Sequence, residues 1–326
     1  MNNNDINNNV ENFIKSIQSP NTQKVAINIM KLLPLQRWNE FPNYNKIQLE
    51  KLIIDLKPNS PKSITTICYI LSLYTKWLQA NNIVCDDSLY RMIKSLDRMT
   101  LWESAKPNAD KKFISHEVFL KTIDKIEYYE ECNKLYYKTL FSCIYEGIYN
   151  NDMSVLKNLR CSDIHENTVT LTEDNGHVYE LSVSSSLIEC LKELSKAKNW
   201  IRKNRFSEYE ISMRGEHTDS VFKIESRNSK RKDKYRYVYY SRLRRISQEY
   251  ILYNLSPSQL YISGIMYRII LKLNENGISL EEAFIKDSRN RLVNSIISGE
   301  LKRCNYNILV RNFRENVIGY LDVFTQ

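Results

Sequence analysis

The chain has 326 residues, enough for two domains, and a formal net charge of +9. Its apolar runs fall well short of the roughly 18 residues that span a bilayer, and its Asn-rich, polar start does not read as a signal peptide. The seven cysteines (Cys68, Cys85, Cys132, Cys143, Cys161, Cys190 and Cys304) are odd in number and form no C-x-x-C pair, which argues against a zinc site or disulfide framework and for a reducing cytoplasm.

Only 7 Gly and 7 Pro in a chain that is 42% hydrophobic predict a mostly helical protein. Helical periodicity is expected over 10–17, 21–33 and 45–56, the last ended by Lys57-Pro58-Asn59-Ser60-Pro61. Ser63 then opens a helix with Ile64, Ile67, Ile70, Leu71, Tyr74 and Leu78 on one stripe, stopped by Asn81-Asn82. Asp86 or Asp87 can cap a helix running through Met99.

The polar, charged stretch 104–112 reads as a linker between a helical domain over 1–103 and a second domain over 113–326. Ser115 is an N-cap candidate, and helices are expected over 135–148 and 152–159. Short alternating strands at 168–172 and 177–181 flank Glu173-Asp174-Asn175-Gly176, whose Asn-Gly pair marks a hairpin. A helix follows over 184–196. Beyond Arg244 the chain is helical almost to the end, with a break at Asn276-Gly277.

The densest electrostatic feature is RNSKRKDKYRYVYYSRLRR, residues 227–245. Arg227, Lys230, Arg231, Lys232, Lys234, Arg236, Arg242, Arg244 and Arg245 stand there against Asp233 alone, interleaved with four tyrosines. Such a segment suits phosphate contacts and counterion release, with arginines available to read guanine edges; the plainer alternative is a solvated loop. A weaker patch, residues 196–205, can be a helix face and its C-terminal cap region. Lys57, Lys62 and Lys76 are ordinary candidates for backbone contacts.

Two segments carry a family resemblance. Met153–Ile164 (MSVLKNLRCSDI) follows an aromatic helix and precedes the hairpin, and Ser60–Asn82 (SPKSITTICYILSLYTKWLQANN) has Tyr and Trp at helical spacing. Together they resemble the catalytic-domain start and the core-binding helix of tyrosine recombinases (phage integrases). The resemblance implies a mainly α, two-domain architecture: a helical core-binding domain, then an α+β catalytic-like domain with a small β-hairpin or sheet.

It also implies where chemistry would lie. Members of the family use two arginines on the scissile phosphate, a hairpin lysine, histidines or a Trp, and a C-terminal tyrosine nucleophile. The first arginine falls on Asp152, of opposite charge, and no arginine lies between Arg98 and Arg160. The hairpin over 168–183 has no lysine. The H-x-x-R box matches Ser241 to Arg244, so the histidine is replaced and Arg244 is a vestige. No histidine follows His217 and no Trp follows Trp200. Tyr306 and Tyr320 are weak nucleophile candidates.

The expectation is therefore a scaffold that has lost strand cleavage and needs no cofactor or metal. In length, Asn- and Lys-rich composition and eroded site it is similar to recombinase-like repressors of SPβ-type Bacillus phages. That likeness implies a sequence-specific repressor of lysogeny on double-stranded operator DNA in the bacterial nucleoid, able to oligomerise there and relieved by a small phage antirepressor. A divergent active recombinase, or a protein-interaction module using the Tyr-rich surface, are the alternatives.

Overall fold

A computed structural model of the chain describes all residues except 1–2, 33, 85, 107–111, 127–130, 204–207, 216, 226–233, 252–254, 287–289 and 325–326. Its contacts divide into two units, Met1–Asp110 with Phe313–Gly319, and Lys111–Asn312 with Tyr320–Gln326. Residues 107–111 of the expected linker lie outside the described residues.

The first unit holds α1 (Asn3–Ser16), α2 (Pro20–Met30), α3 (Leu35–Glu40), α4 (Lys46–Asp55), α5 (Pro61–Ala80), α6 (Ser88–Ser95) and α7 (Arg98–Ala105). Local chemistry sets the boundaries. α5 begins earlier than the apolar stripe suggested, because Ser60 is the N-cap, Pro61 fills the first turn, and Ser60 and Ser63 form a reciprocal capping box. The helix expected through Met99 is broken, since Asp97 caps a fresh start by accepting the Met99 N–H at 2.9 Å. Tyr74 on α5 anchors the core, with Phe13 at 5.0 Å and Phe41 at 5.6 Å between ring centroids. Of the ordinary lysine candidates, Lys62 pairs with Glu315 at 3.6 Å and Lys76 lies over the Tyr90 ring at 5.0 Å.

The second unit opens with α8 (His116–Lys125), capped by Ser115 as expected, and α9 (Glu131–Glu146). The short α10 (Ser154–Asn158) leads to the hairpin of β1 (Thr168–Thr172) and β2 (Val178–Ser182), paired antiparallel with Thr168 opposite Ser182. Gly176 takes the left-handed φ of 84° that the turn needs. α11 (Ser185–Lys196) follows.

A three-stranded antiparallel sheet was not foreseen: β3 (Asn199–Lys203), β4 (Glu208–Arg214) and β5 (Ile224–Glu225). The patch over 196–205 is thus the last residue of a helix and then a strand, not a continued helix face. Thereafter come α12 (Lys234–Ile246), α13 (Pro257–Glu275) and α14 (Arg291–Arg303); α15 (Val310–Val317) belongs to the first unit from Phe313 on, and α16 (Leu321–Phe324) to the second. Among the described residues the protein is mainly helical with two small sheets, and no helix is long and apolar enough to cross a membrane.

α9 is the spine of the second unit, with Leu140, Phe141 and Ile144 fully buried. α13 lies so close to it that a Cβ at Gly264 would collide with the Tyr145 carbonyl. A second contact locks the same helices. Glu300 of α14 is 1% exposed and receives Arg268 of α13 at 3.1 Å, Lys272 at 2.7 Å and Arg303 at 3.1 Å. Arg268 also donates to the Tyr145 carbonyl at 3.0 Å, and Arg303 donates to the Ser182 carbonyl at 2.6 Å. One carboxylate therefore ties together the end of α9, the end of the hairpin, α13 and α14.

Burial works against the Glu300 charge, but the Lys272 hydrogen bond and the fields of Arg303 and Arg268 outweigh it and hold its carboxyl below the usual 4.5. A carboxyl lowered on folding adds stability that is fully present above the unfolded value and is lost as the pH falls through the folded one.

Two outcomes are expected. Gly264→Ala should lower stability by about 1–3 kcal/mol in chemical denaturation, because helix backbone must move. Glu300→Gln should cost about 3–5 kcal/mol at neutral pH by stranding its cations. That deficit should shrink as the pH falls below about 4.5, where Glu300 of the unfolded chain begins to protonate, and on through the lower folded value; a pH-independent deficit would show that the Glu300 charge contributes nothing.

Candidate functional site

The site is built where α9 ends. Gly147 turns the chain with a φ of 113°, and the loop through Asp152 closes at Met153, itself left-handed at 63°. Asn150 holds this loop, donating to Ser154 Oγ at 2.7 Å and accepting the Val155 N–H at 3.4 Å. Asp152, at the position of the expected first arginine, is exposed and accepts the Ser154 N–H at 2.9 Å. Its carboxylate thus serves the start of α10, a task the helix N-terminus favours. Arg160, further on, is also exposed, and its guanidinium lies 3.2 Å from His217 Nε2.

The hairpin turn has a lysine after all, supplied from outside it. Lys157 of α10 reaches Asp174 at 2.6 and 2.8 Å, and Asn158 donates to the same carboxylate at 3.0 Å. The Lys157 hydrogen bond is the main cause that holds Asp174 below the usual carboxylate range. A search within the strands could not find this lysine, because the contact joins residues 17 apart across two elements.

These elements enclose a pocket of about 570 Å³. Tyr149, Asn150 and Asn151 come from the loop after α9, and Glu173, Asn175 and His177 from the hairpin turn. Tyr261 comes from α13, and Asn305, Tyr306 and Asn307 from the segment after α14. Asn305 donates to Glu173 Oε1 and Asn175 to Oε2, both at 3.0 Å. Tyr261 donates to the Cys304 carbonyl at 2.6 Å. Tyr306 stands edge-on to Tyr261, 5.4 Å away at 87°, and burial pushes its hydroxyl pKa up. A nucleophilic tyrosine needs cations to stabilise charge on phosphorus, and this lining contains none.

Tyr320, the other candidate, is a core residue. It is 4% exposed and meets Phe113 edge-on at 5.2 Å, so its place near the C-terminus reflects packing.

Ser241 and Arg244 line a second pocket of about 450 Å³ with Tyr237, Tyr240, Leu255, Ser256 and Pro257. It adjoins the first, since Tyr240 hydrogen-bonds Tyr149. Ser241 and Arg244 stand on the exposed face of α12, with Arg236, Tyr237 and Arg245. Arg236 lies over the Tyr240 ring at 5.5 Å, Lys234 over Tyr235 at 5.2 Å, and Arg245 is 3.9 Å from Glu249. Arg227, Lys230, Arg231 and Lys232 lie outside the described residues.

Arg242 needs correction. It is 8% exposed, and its guanidinium sits 4.1 Å from the Tyr136 ring centroid. It belongs to the buried stripe of Tyr235, Val238, Tyr239, Leu243 and Ile246, so it cannot face a duplex. The 3–4 residue spacing of that stripe was the signal available; charge density concealed it.

A basic helical face, a hairpin-and-loop pocket and a tyrosine after α14 are the parts that the sequence resemblance to tyrosine recombinases implied. The chain belongs to the MrpR family: the model described as "MrpR, C-terminal catalytic domain" matches residues 119–291, a little over half of it. No match is found among curated proteins. Among solved structures the chain is similar to XerA recombinase, at 13% identity and a TM-score of 0.35 over 96% of this chain and 97% of that one. It is also similar to XerH site-specific recombinase bound to difH substrate. The post-cleavage complex gives 13% identity and a TM-score of 0.38 over 98% and 92% of the two chains; the pre-cleavage complex gives 14% and 0.32 over 97% and 94%.

Arg242→Ala should cost about 1–3 kcal/mol of stability by opening the packing around Tyr136. Arg244→Ala, on the exposed face, should stay within about 0.5 kcal/mol. Thermal melts of the two variants separate the roles; equal midpoints would place Arg242 at the surface.

Proposed function

We propose that the protein is a sequence-specific double-stranded DNA-binding regulator, a repressor built on a recombinase scaffold that does not cleave strands. The observation that carries this reading is the charge beside the tyrosine. The charged side chain in the wall around Tyr306 is Glu173, and Arg244 is not among the residues that line that pocket. Transfer of a phosphate to a tyrosine needs nucleophile and cations around one phosphorus atom. Asp152 at the first-arginine position adds a negative charge where the reaction requires a positive one.

DNA binding makes no such demand. Arg236, Arg244 and Arg245 share the exposed face of α12 with Tyr237 and Tyr240, a pattern that suits backbone phosphates and base or sugar contacts. Phage operators as targets, control of lysogeny and a small antirepressor partner belong to this proposal through the resemblance to recombinase-like repressors.

The test is a gel shift on fragments of the source genome, with half of each sample denatured in SDS. Discrete shifts that vanish in SDS are expected. Arg236→Glu with Arg244→Glu should weaken binding to every fragment at least tenfold and lower the log–log salt slope by about 1.8, about 0.9 per lost phosphate contact. Tyr306→Phe should bind as well as wild type. An SDS-resistant adduct that Tyr306→Phe abolishes would establish strand cleavage and overturn the reading.

A further inference from the structure

The pocket that holds Tyr306 has a chemistry of its own. Tyr149 and Tyr261 lie 5.0 Å apart, and Tyr261 and Tyr306 lie 5.4 Å apart and nearly perpendicular, so three rings make one continuous aromatic wall. Burial raises all three hydroxyls, which keeps the rings neutral. In the same lining, Glu173 accepts from Asn305 on one oxygen and from Asn175 on the other, which orients the carboxylate and leaves each oxygen a further lone pair.

Aromatic faces beside a carboxylate attract organic cations, because the ring quadrupole and the negative charge act in the same direction. A phosphate would meet the opposite field. The size, about 570 Å³, is that of a small-molecule site and far exceeds a lone ion. The whole chain carries +9, so long-range attraction would not bring a cation here; local chemistry has to hold it.

We propose that this pocket binds an organic ammonium group, such as the end of a polyamine or a lysine-type side chain. The cation sits against the Tyr149, Tyr261 and Tyr306 wall and pairs with Glu173. The side-chain carbonyl oxygens of Asn151 and Asn307 are acceptors for its remaining N–H groups. A ligand held this way couples the hairpin turn to the segment after α14. The proposal does not rest on DNA binding.

The full-length protein is titrated with tetramethylammonium chloride and with N-acetyl-lysine methylamide, followed by saturation-transfer NMR and calorimetry at constant ionic strength, with sodium phosphate as the anionic probe. Saturable binding of both ammonium probes is expected, with none of phosphate. Glu173→Gln, on an exposed turn, should weaken both roughly tenfold with an unchanged circular dichroism spectrum. The Arg244→Glu variant should bind both as wild type does, whatever its affinity for DNA; Arg236 is left in place because its charge acts on Tyr149. Absence of saturable ammonium binding, equal binding by Glu173→Gln, loss of binding in the α12 variant, or preference for phosphate would each overturn the proposal.

Discussion

A single buried carboxylate organises the second unit. Glu300 is 1% exposed, and a charge so placed is tolerable only when cations surround it. Arg268, Lys272 and Arg303 do so, and the two arginines spend their other donors on carbonyls of α9 and of the hairpin. The ends of four elements are held in one place. The loop after α9, the hairpin turn and the segment after α14 project from those ends, and they are the walls of the pocket. The geometry of Tyr149, Glu173 and Tyr306 follows from a salt-bridge cluster that touches none of them.

The same unit shows how charge can be redirected without being removed. Four basic side chains of this unit have distinct placements. Lys157 reaches the hairpin but is bound to Asp174, Arg160 sits by His217, and Arg242 is folded onto Tyr136. Arg244 is left on an exposed helix face. Each cation is committed to a partner or a surface before a phosphate could claim it. The net charge of +9 gives a long-range field that attracts polyanions, and the lining of the pocket around Tyr306 carries no Lys or Arg.

Much of this was legible in the chain. The hairpin declared itself through Asn175-Gly176 between alternating strands, because a two-residue turn with positive φ has few sequence solutions. Ser115 and the α5 stripe were equally plain. The boundaries that slipped did so where polar side chains outvoted apolar spacing: Ser60 began α5 early, and Asp97 cut one helix into two. The sheet of β3, β4 and β5 escaped notice, since strands of five, seven and two residues separated by polar segments carry little periodicity.

The sequence by itself determined the helical class, the hairpin, the basic stretch before Arg244 and the acid at position 152. These are local properties, set by propensity, turn geometry and charge along a few residues. Only the tertiary structure decided which charges are usable. It buried Arg242 and Tyr320, brought Lys157 to Asp174, and placed three tyrosines and Glu173 in the lining of one pocket. Such outcomes depend on contacts between residues tens to more than a hundred positions apart, and no window along the chain contains both partners.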